Sequence, residues 1–142
     1  MAVWRIGELL IQKRLISWEQ LDEVLNEQEQ TKESTGELLV KKGYVSRNLL
    51  FRTLAEQGKL RFVELARTRI NPEAVTRVPG DFARRYKIVP VEFREGALTV
   101  AVPHPFHLWP QEEIQNKHDV DSVRKVLCMP EEIEKTLDEL YK

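Results

Sequence analysis

The residues best suited to chemistry in this 142-residue chain are an arginine, two glycines and two glutamines. Gly7 and Gly36 stand 29 positions apart, as do Gln28 and Gln57, and Arg5 lies just ahead of the first glycine. Glycine lets a backbone approach a ligand closely, and the N–H groups at a helix start favour an anion such as phosphate. Glutamine supplies a neutral donor and acceptor able to read the edge of a base. Arginine adds a planar fork suited to phosphate or guanine. Together they suggest a nucleotide site between repeated elements. Alanine would give a helix ~1 kcal/mol more stability than glycine, so the repeated glycine reads as a functional residue that does nothing for a core.

The elements that position these groups form an internal repeat. Residues 5–28 (RIGELLIQKRLISWEQLDEVLNEQ) and 34–57 (STGELLVKKGYVSRNLLFRTLAEQ) are separated by EQTKE, and 10 of 24 aligned positions are identical. Each copy predicts a short helix, a tight turn and a longer helix, with apolar positions at helical spacing. The turn falls at Arg14 in the first copy and at Gly43 in the second; glycine enters the left-handed conformation without strain, and arginine does so less comfortably. Ser17 and Ser46 stand where N-caps belong, and Ser17 with Gln20 satisfies the capping-box pattern. Most of the repeated leucines read simply as shared core. Two helical hairpins then make a pseudo-symmetric four-helix unit.

This tandem pattern resembles the N-terminal domain of MshE-type pilus ATPases, whose motif runs RLGxxLVxxGxLSxxxLxxALxxQ and whose relatives include type II secretion and type IV pilus assembly ATPases. The resemblance implies cyclic di-GMP binding through Arg5, Ile6, Gly7, Leu21, Leu25 and Gln28 of the first copy, and Thr35, Gly36, Leu50, Leu54 and Gln57 of the second. The sequence departs from the motif at three places. Arg14 replaces the turn glycine, and Ser34-Thr35 replaces the opening Arg-Leu of the second copy. A lost charge-assisted contact is worth ~1.5 to 3 kcal/mol when buried, which weakens the expected site.

From residue 58 the pattern changes. GKLRFVEL reads as a short strand, and NPEAVTR starts a helix with an Asn cap and Pro at the first position. Pro79 to Tyr86 forms another helix. KIVPVEF and ALTVAV flank Arg94-Glu95-Gly96 as a hairpin, with Pro90 at an edge or bulge. A proline-punctuated loop then leads to a helix, VDSVRKVL to a strand, and PEEIEKTLDELYK to an amphipathic helix. The expected class is α+β: a helical subdomain over 1–58, then a small subdomain over 59–142 with three or four strands. The family resemblance continues here through the ARRYKIVPV stretch.

Composition narrows the function. The chain is 42% hydrophobic and 32% charged, with a formal net charge of -1. That balance argues against sequence-independent DNA or RNA binding, which depends on neutralising phosphates. A single cysteine, Cys128, fits a reducing compartment, and no run approaches the ~20 apolar residues of a membrane-spanning helix. The six glycines never form the GxxxxGK[ST] loop of a P-loop ATPase. His104, His107 and His118 lack a recognised metal-ligand spacing. Cys128 has no neighbouring histidine in sequence to activate it and reads as buried, and the glutamates near the end read as a solvated surface. Arg67, Arg69, Arg84 and Arg85 read as surface charge or contacts to an acidic partner. Trp18, next to its cap, should face outward, whereas Trp4 and Trp109 suit either core or interface.

The resemblance therefore implies a non-catalytic regulatory domain with no cofactor or metal. Its ligand is cyclic di-GMP, and its partners are a secretion or pilus ATPase core and a membrane-platform protein. Its place is the cytoplasm, reaching the inner membrane through those partners. The alternative is a degenerate, nucleotide-free docking module linking the ATPase to the platform.

Overall fold

The computed structural model describes residues 5–142, which divide into two compact units after Gln57. The first contains α1 (Ile6–Gln12), α2 (Trp18–Thr31), α3 (Thr35–Lys41) and α4 (Arg47–Gln57). Serines start three of the four. Ser17 Oγ accepts from Gln20 N at 3.1 Å while Gln20 Oε1 accepts from Ser17 N at 2.9 Å. Ser34 Oγ accepts from Glu37 N at 3.2 Å, and Ser46 Oγ from Leu49 N at 3.1 Å. Such caps each contribute about 1 kcal/mol by satisfying N–H groups that the helix leaves unpaired. Arg5 precedes α1 and makes no side-chain cap. Both turns use the left-handed region, at Arg14 (φ 61°) and Gly43 (φ 77°). The apolar stripes meet in a core that includes Leu10, Val24, Leu38, Leu39 and Leu50.

The second unit interleaves β1 (Arg61–Phe62), a 3-10 turn at Leu65–Arg67, α5 (Pro72–Thr76), α6 (Gly80–Tyr86), β2 (Val89–Arg94), β3 (Ala97–Val102), α7 (Gln111–Lys117), β4 (Ser122–Leu127) and α8 (Pro130–Leu140). The sheet has four strands in the order β1-β4-β3-β2. β2 and β3 form the antiparallel hairpin, closed by Glu95 (φ 50°) and Gly96 (φ 79°), the positive-φ pair whose twist suits a tight hairpin. Pro90 lies on an edge strand beside a register shift between Pro90 and Glu92, where its missing N–H is tolerated. The skipped residue, Val91, offers its carbonyl to Asn71 N at 2.8 Å and so ties α5 to the sheet edge. β3 runs parallel to β4 through α7, and β1 parallel to β4. Val89, Leu98, Val100 and Val102 pack with Ala74, Ala83, Ile114, Ile133 and Leu137 in one core. The chain is α+β, with eight helices and one mixed sheet among the described residues.

Candidate functional site

The repeated glycines sit where two helices touch. A Cβ at Gly7 would lie 2.6 Å from Leu21 Cδ1, and one at Gly36 would lie 3.1 Å from both Leu50 Cδ atoms. Gly7, Gly36, Leu21 and Leu50 are all buried. In each repeat the glycine is therefore the socket for a leucine of the longer helix, Leu21 in α2 and Leu50 in α4. This corrects the expectation that the glycine does nothing for a core: close packing against leucine outweighs its weak helix propensity.

Between repeats the partners cross over. α1 packs on α4 and α2 packs on α3, while the two short helices also meet each other. The arrangement maps onto itself when the repeats are exchanged. Two repeated ion pairs follow the same rule: Lys13 meets Glu56 at 2.5 Å, and Lys42 meets Glu27 at 2.7 Å. Hydrogen bonding to Glu27 raises the Lys42 pKa. Sequence reasoning assigned these four residues no role, although their identity in both copies was a visible signal. What it lacked was the crossed pairing.

The exchange of partners brings the end of one repeat to the start of the other. Thr35 Oγ1, at the head of α3, donates to Gln28 Oε1 near the end of α2 at 3.1 Å. Gln57 holds the matching position at the end of α4 and is half-buried, as is Ile6, the counterpart of Thr35. Arg5 is exposed at the head of α1, and its counterpart Ser34 is occupied in capping α3. Leu25 is 42% exposed whereas its counterpart Leu54 is only 9% exposed, so at this position the first repeat presents a leucine that the second buries. The contacts join Gly7 with Leu21, Gly36 with Leu50, and Gln28 with Thr35. A further one-sided contact, from the Tyr44 hydroxyl to the Glu23 carboxylate, has no equivalent because Leu15 and Arg52 stand at the matching positions. Chemically, the ends of the repeats offer one guanidinium, two carboxamides and a leucine surface, a set suited to a planar base with attached phosphate.

The other candidates have structural surroundings. Burial pushes the Cys128 thiol up to about 12. His107 Nε2 lies 2.6 Å from Tyr86 O, and His104 Nδ1 accepts from Phe106 N at 3.1 Å. Burial, with His107 nearby, lowers the His104 pKa. No group of three or more His, Cys, Asp or Glu able to hold a metal is found among the described residues. Arg84 donates to Asp138 at 2.6 Å and Arg67 pairs with Glu64 at 3.4 Å, so these two arginines have partners within the fold. Trp18 is 65% exposed, Trp109 is buried, and Trp4 lies outside the described residues. No described helix is long and apolar enough to cross a membrane.

Comparison with known proteins decides the family. The model of the MshEN domain matches residues 59–142. The chain belongs to the MshEN domain family. The family model falls on the second unit, and the tandem motif that carries the resemblance lies in the first, so separate segments point the same way. Relatives extend the likeness across both units. The chain is 35% identical over 138 residues to the type IV pilus assembly ATPase PilB of Thermus thermophilus, covering 96% of this chain and 15% of that protein. It is 29% identical over 111 residues to PilB of Myxococcus xanthus, covering 78% of this chain and 20% of the relative. This MshEN chain thus spans only a fifth or less of the length of the curated relatives it matches. Among solved structures, that of MshE with cdg superposes with a TM-score of 0.86 at 28% identity, covering 97% of this chain and 99% of that one. The N-terminal domain of XpsE shares the fold, with a TM-score of 0.62 at 17% identity, covering 97% and 94% of the two chains.

Proposed function

We propose that this MshEN domain is the regulatory, non-catalytic N-terminal part of a type IV pilus or type II secretion ATPase and that it binds cyclic di-GMP on its tandem repeats. The observation that carries the reading is the meeting of Gln28, from the end of one repeat, with Thr35, from the start of the next, at 3.1 Å. It sets the glutamine of one motif against the opening residues of the other. The likeness to a structure of MshE with cdg supports the choice of ligand. In this reading Arg5 supplies the charge, Gln28 and Gln57 meet base edges, Leu25 with Leu54 and Ile6 offer apolar contact, and Gly7 and Gly36 hold the helices close enough for Leu21 and Leu50 to shape the floor. The partners are the ATPase core and a membrane-platform protein, and the domain works in the cytoplasm, meeting the inner membrane through them.

Isothermal titration with cyclic di-GMP, using GTP and ATP as controls, tests this. Saturable binding at micromolar or lower concentration, specific to the cyclic dinucleotide and abolished in a folded Arg5→Ala/Gln57→Ala variant, is the expected result. Silence at tens of micromolar overturns it. The use of Ser34 as a helix cap favours a second reading, in which the site has decayed and the domain survives as a docking module. That module would bind a platform protein equally well with or without the double substitution.

A further inference from the structure

The pseudo-symmetry of the first unit leaves one cleft filled and its twin open. Tyr44, half-buried in the turn of the second repeat, reaches α2, where its hydroxyl donates to the Glu23 carboxylate. The matching position in the first repeat is Leu15, and Arg52 stands in the place of Glu23. There the turn and α4 border a cleft of about 380 Å³ lined by Lys13, Leu15, Leu49, Arg52, Thr53 and Glu56. Leu49 in this lining is 41% exposed, apolar surface that gains from being covered.

The filled cleft shows what fits the open one. Its occupant is an aromatic ring whose polar edge meets the charged residue of the neighbouring helix. Arg52 reverses the charge that Glu23 presents, so the open cleft calls for a ring together with a negative charge. Arg52 Nε donates to Asn48 Oδ1 at 2.7 Å and Lys13 pairs with Glu56, which leaves the lining with two cations against one anion.

The chain itself displays that combination. α2 begins with Trp18 and Glu19, continues through Asp22, Glu23, Glu27 and Glu29, and has no Lys or Arg. Its counterpart α4 has Arg47, Arg52 and a single acid, Glu56. Equivalent helices of opposite charge are electrostatically complementary. Trp18 is 65% exposed, and tryptophan dominates binding energy when it enters a pocket at an interface. We propose that the start of α2 in one copy of this chain, with Trp18, Glu19 and Asp22, docks into the cleft between the first-repeat turn and α4 of a second copy. The two surfaces are unlike, so copies join head to tail or as a pair that exchanges both contacts, and either raises the mass above that of the monomer. No dinucleotide takes part, so the contact stands or falls separately from the ligand reading.

Sedimentation equilibrium of the whole chain without ligand, from tens of micromolar to millimolar protein, tests this. The wild type should associate reversibly in low salt and less in high salt, which screens the charge pairs. Trp18→Ala should weaken association about tenfold or more. Arg52→Glu and Glu19→Lys/Asp22→Lys should each stay monomeric. Their equimolar mixture should associate as the wild type does, because the acidic α2 of the first variant meets the unaltered cleft of the second. Melting by circular dichroism confirms that each variant is folded, and Arg52→Gln, which should weaken association, replaces Arg52→Glu if that variant unfolds. A wild type that is monomeric throughout in low salt, association unchanged in both Trp18→Ala and the Arg52 variant, or a mixture that stays monomeric overturns the inference.

Discussion

Replacing Gly7 by alanine should loosen the first unit, although helix propensity alone predicts the opposite. Alanine favours a helix by up to ~1 kcal/mol over glycine. Its methyl group, however, would lie 2.6 Å from Leu21 Cδ1 and 3.2 Å from Cδ2. Leu21 is only 5% exposed, so its side chain has little room to turn away. Overpacking of this kind costs roughly 1–3 kcal/mol, leaving a net loss of about 1 kcal/mol at the middle of the range and up to about 2 kcal/mol. At Gly36 the nearest Leu50 atoms are 3.1 Å away, a conflict relieved by a few tenths of an ångström, and the two effects should nearly cancel. A second background isolates the cause. Leu21→Ala by itself should cost about 2–5 kcal/mol, and adding Gly7→Ala to it should restore about 0.5–1 kcal/mol, because the methyl group then enters vacated space. Urea unfolding followed by far-ultraviolet circular dichroism measures all four variants. A Gly7→Ala protein as stable as wild type, a Gly36→Ala protein more damaged than Gly7→Ala, or no change of sign in the Leu21→Ala background would refute the socket explanation of the repeated glycine.

Three further outcomes follow from the same geometry. Ser34→Arg should lower stability by about 1 kcal/mol, because it removes the cap on Glu37 N; it should also raise cyclic di-GMP affinity at least tenfold by restoring a charge-assisted contact, as thermal melting and calorimetry would show. Arg14→Gly should stabilise by about 0.5–1 kcal/mol, since Arg14 has φ 61°, and the mirror change Gly43→Arg should destabilise by a similar amount in chemical unfolding. Cys128 should resist alkylation at about pH 8 in the folded protein and react on denaturation. Its thiol pKa is raised from 9.0 to about 12 by burial, so folding favours the protonated form. That contribution is complete below pH 9.0 and is lost as the pH rises through about 12. Cys128→Ala, followed by alkaline melting, should flatten part of that loss. Tyr141, raised by burial from 10.0 to about 12, adds to that loss in the same direction.

What was legible in the sequence was local or periodic. The repeat gave four helices, Ser17 with Gln20 gave the capping box, Asn71-Pro72 gave the start of α5, and Glu95-Gly96 gave the hairpin, because each signal lies within a few residues of the structure it determines. Pro90 announced an edge or bulge through its missing N–H, and both are found. The parallel placement of β4 between β1 and β3 was not legible, since parallel pairing joins residues as distant as Arg61 and Val126 and leaves no turn signature. The repeated glycine was misread for a related reason. Its partner leucine lies 14 residues away, and only packing reveals that the gap is filled. Lys13 with Glu56, and Lys42 with Glu27, were equally hidden until the repeats crossed partners. At the candidate site the sequence identified the residue types, whereas the meeting of Thr35 with Gln28 needed coordinates.

The central claim is that the tandem repeats themselves are the seat of cyclic di-GMP. The most direct test is nuclear magnetic resonance titration of the isotope-labelled chain with the dinucleotide, following backbone amides and the side-chain carboxamides of Gln28 and Gln57. The account predicts saturable shifts at both carboxamides and at the amides of Gly7 and Gly36, with the strands of the second unit little changed. Spectra that do not respond at tens of micromolar dinucleotide, or shifts confined to residues beyond Gln57, would contradict it.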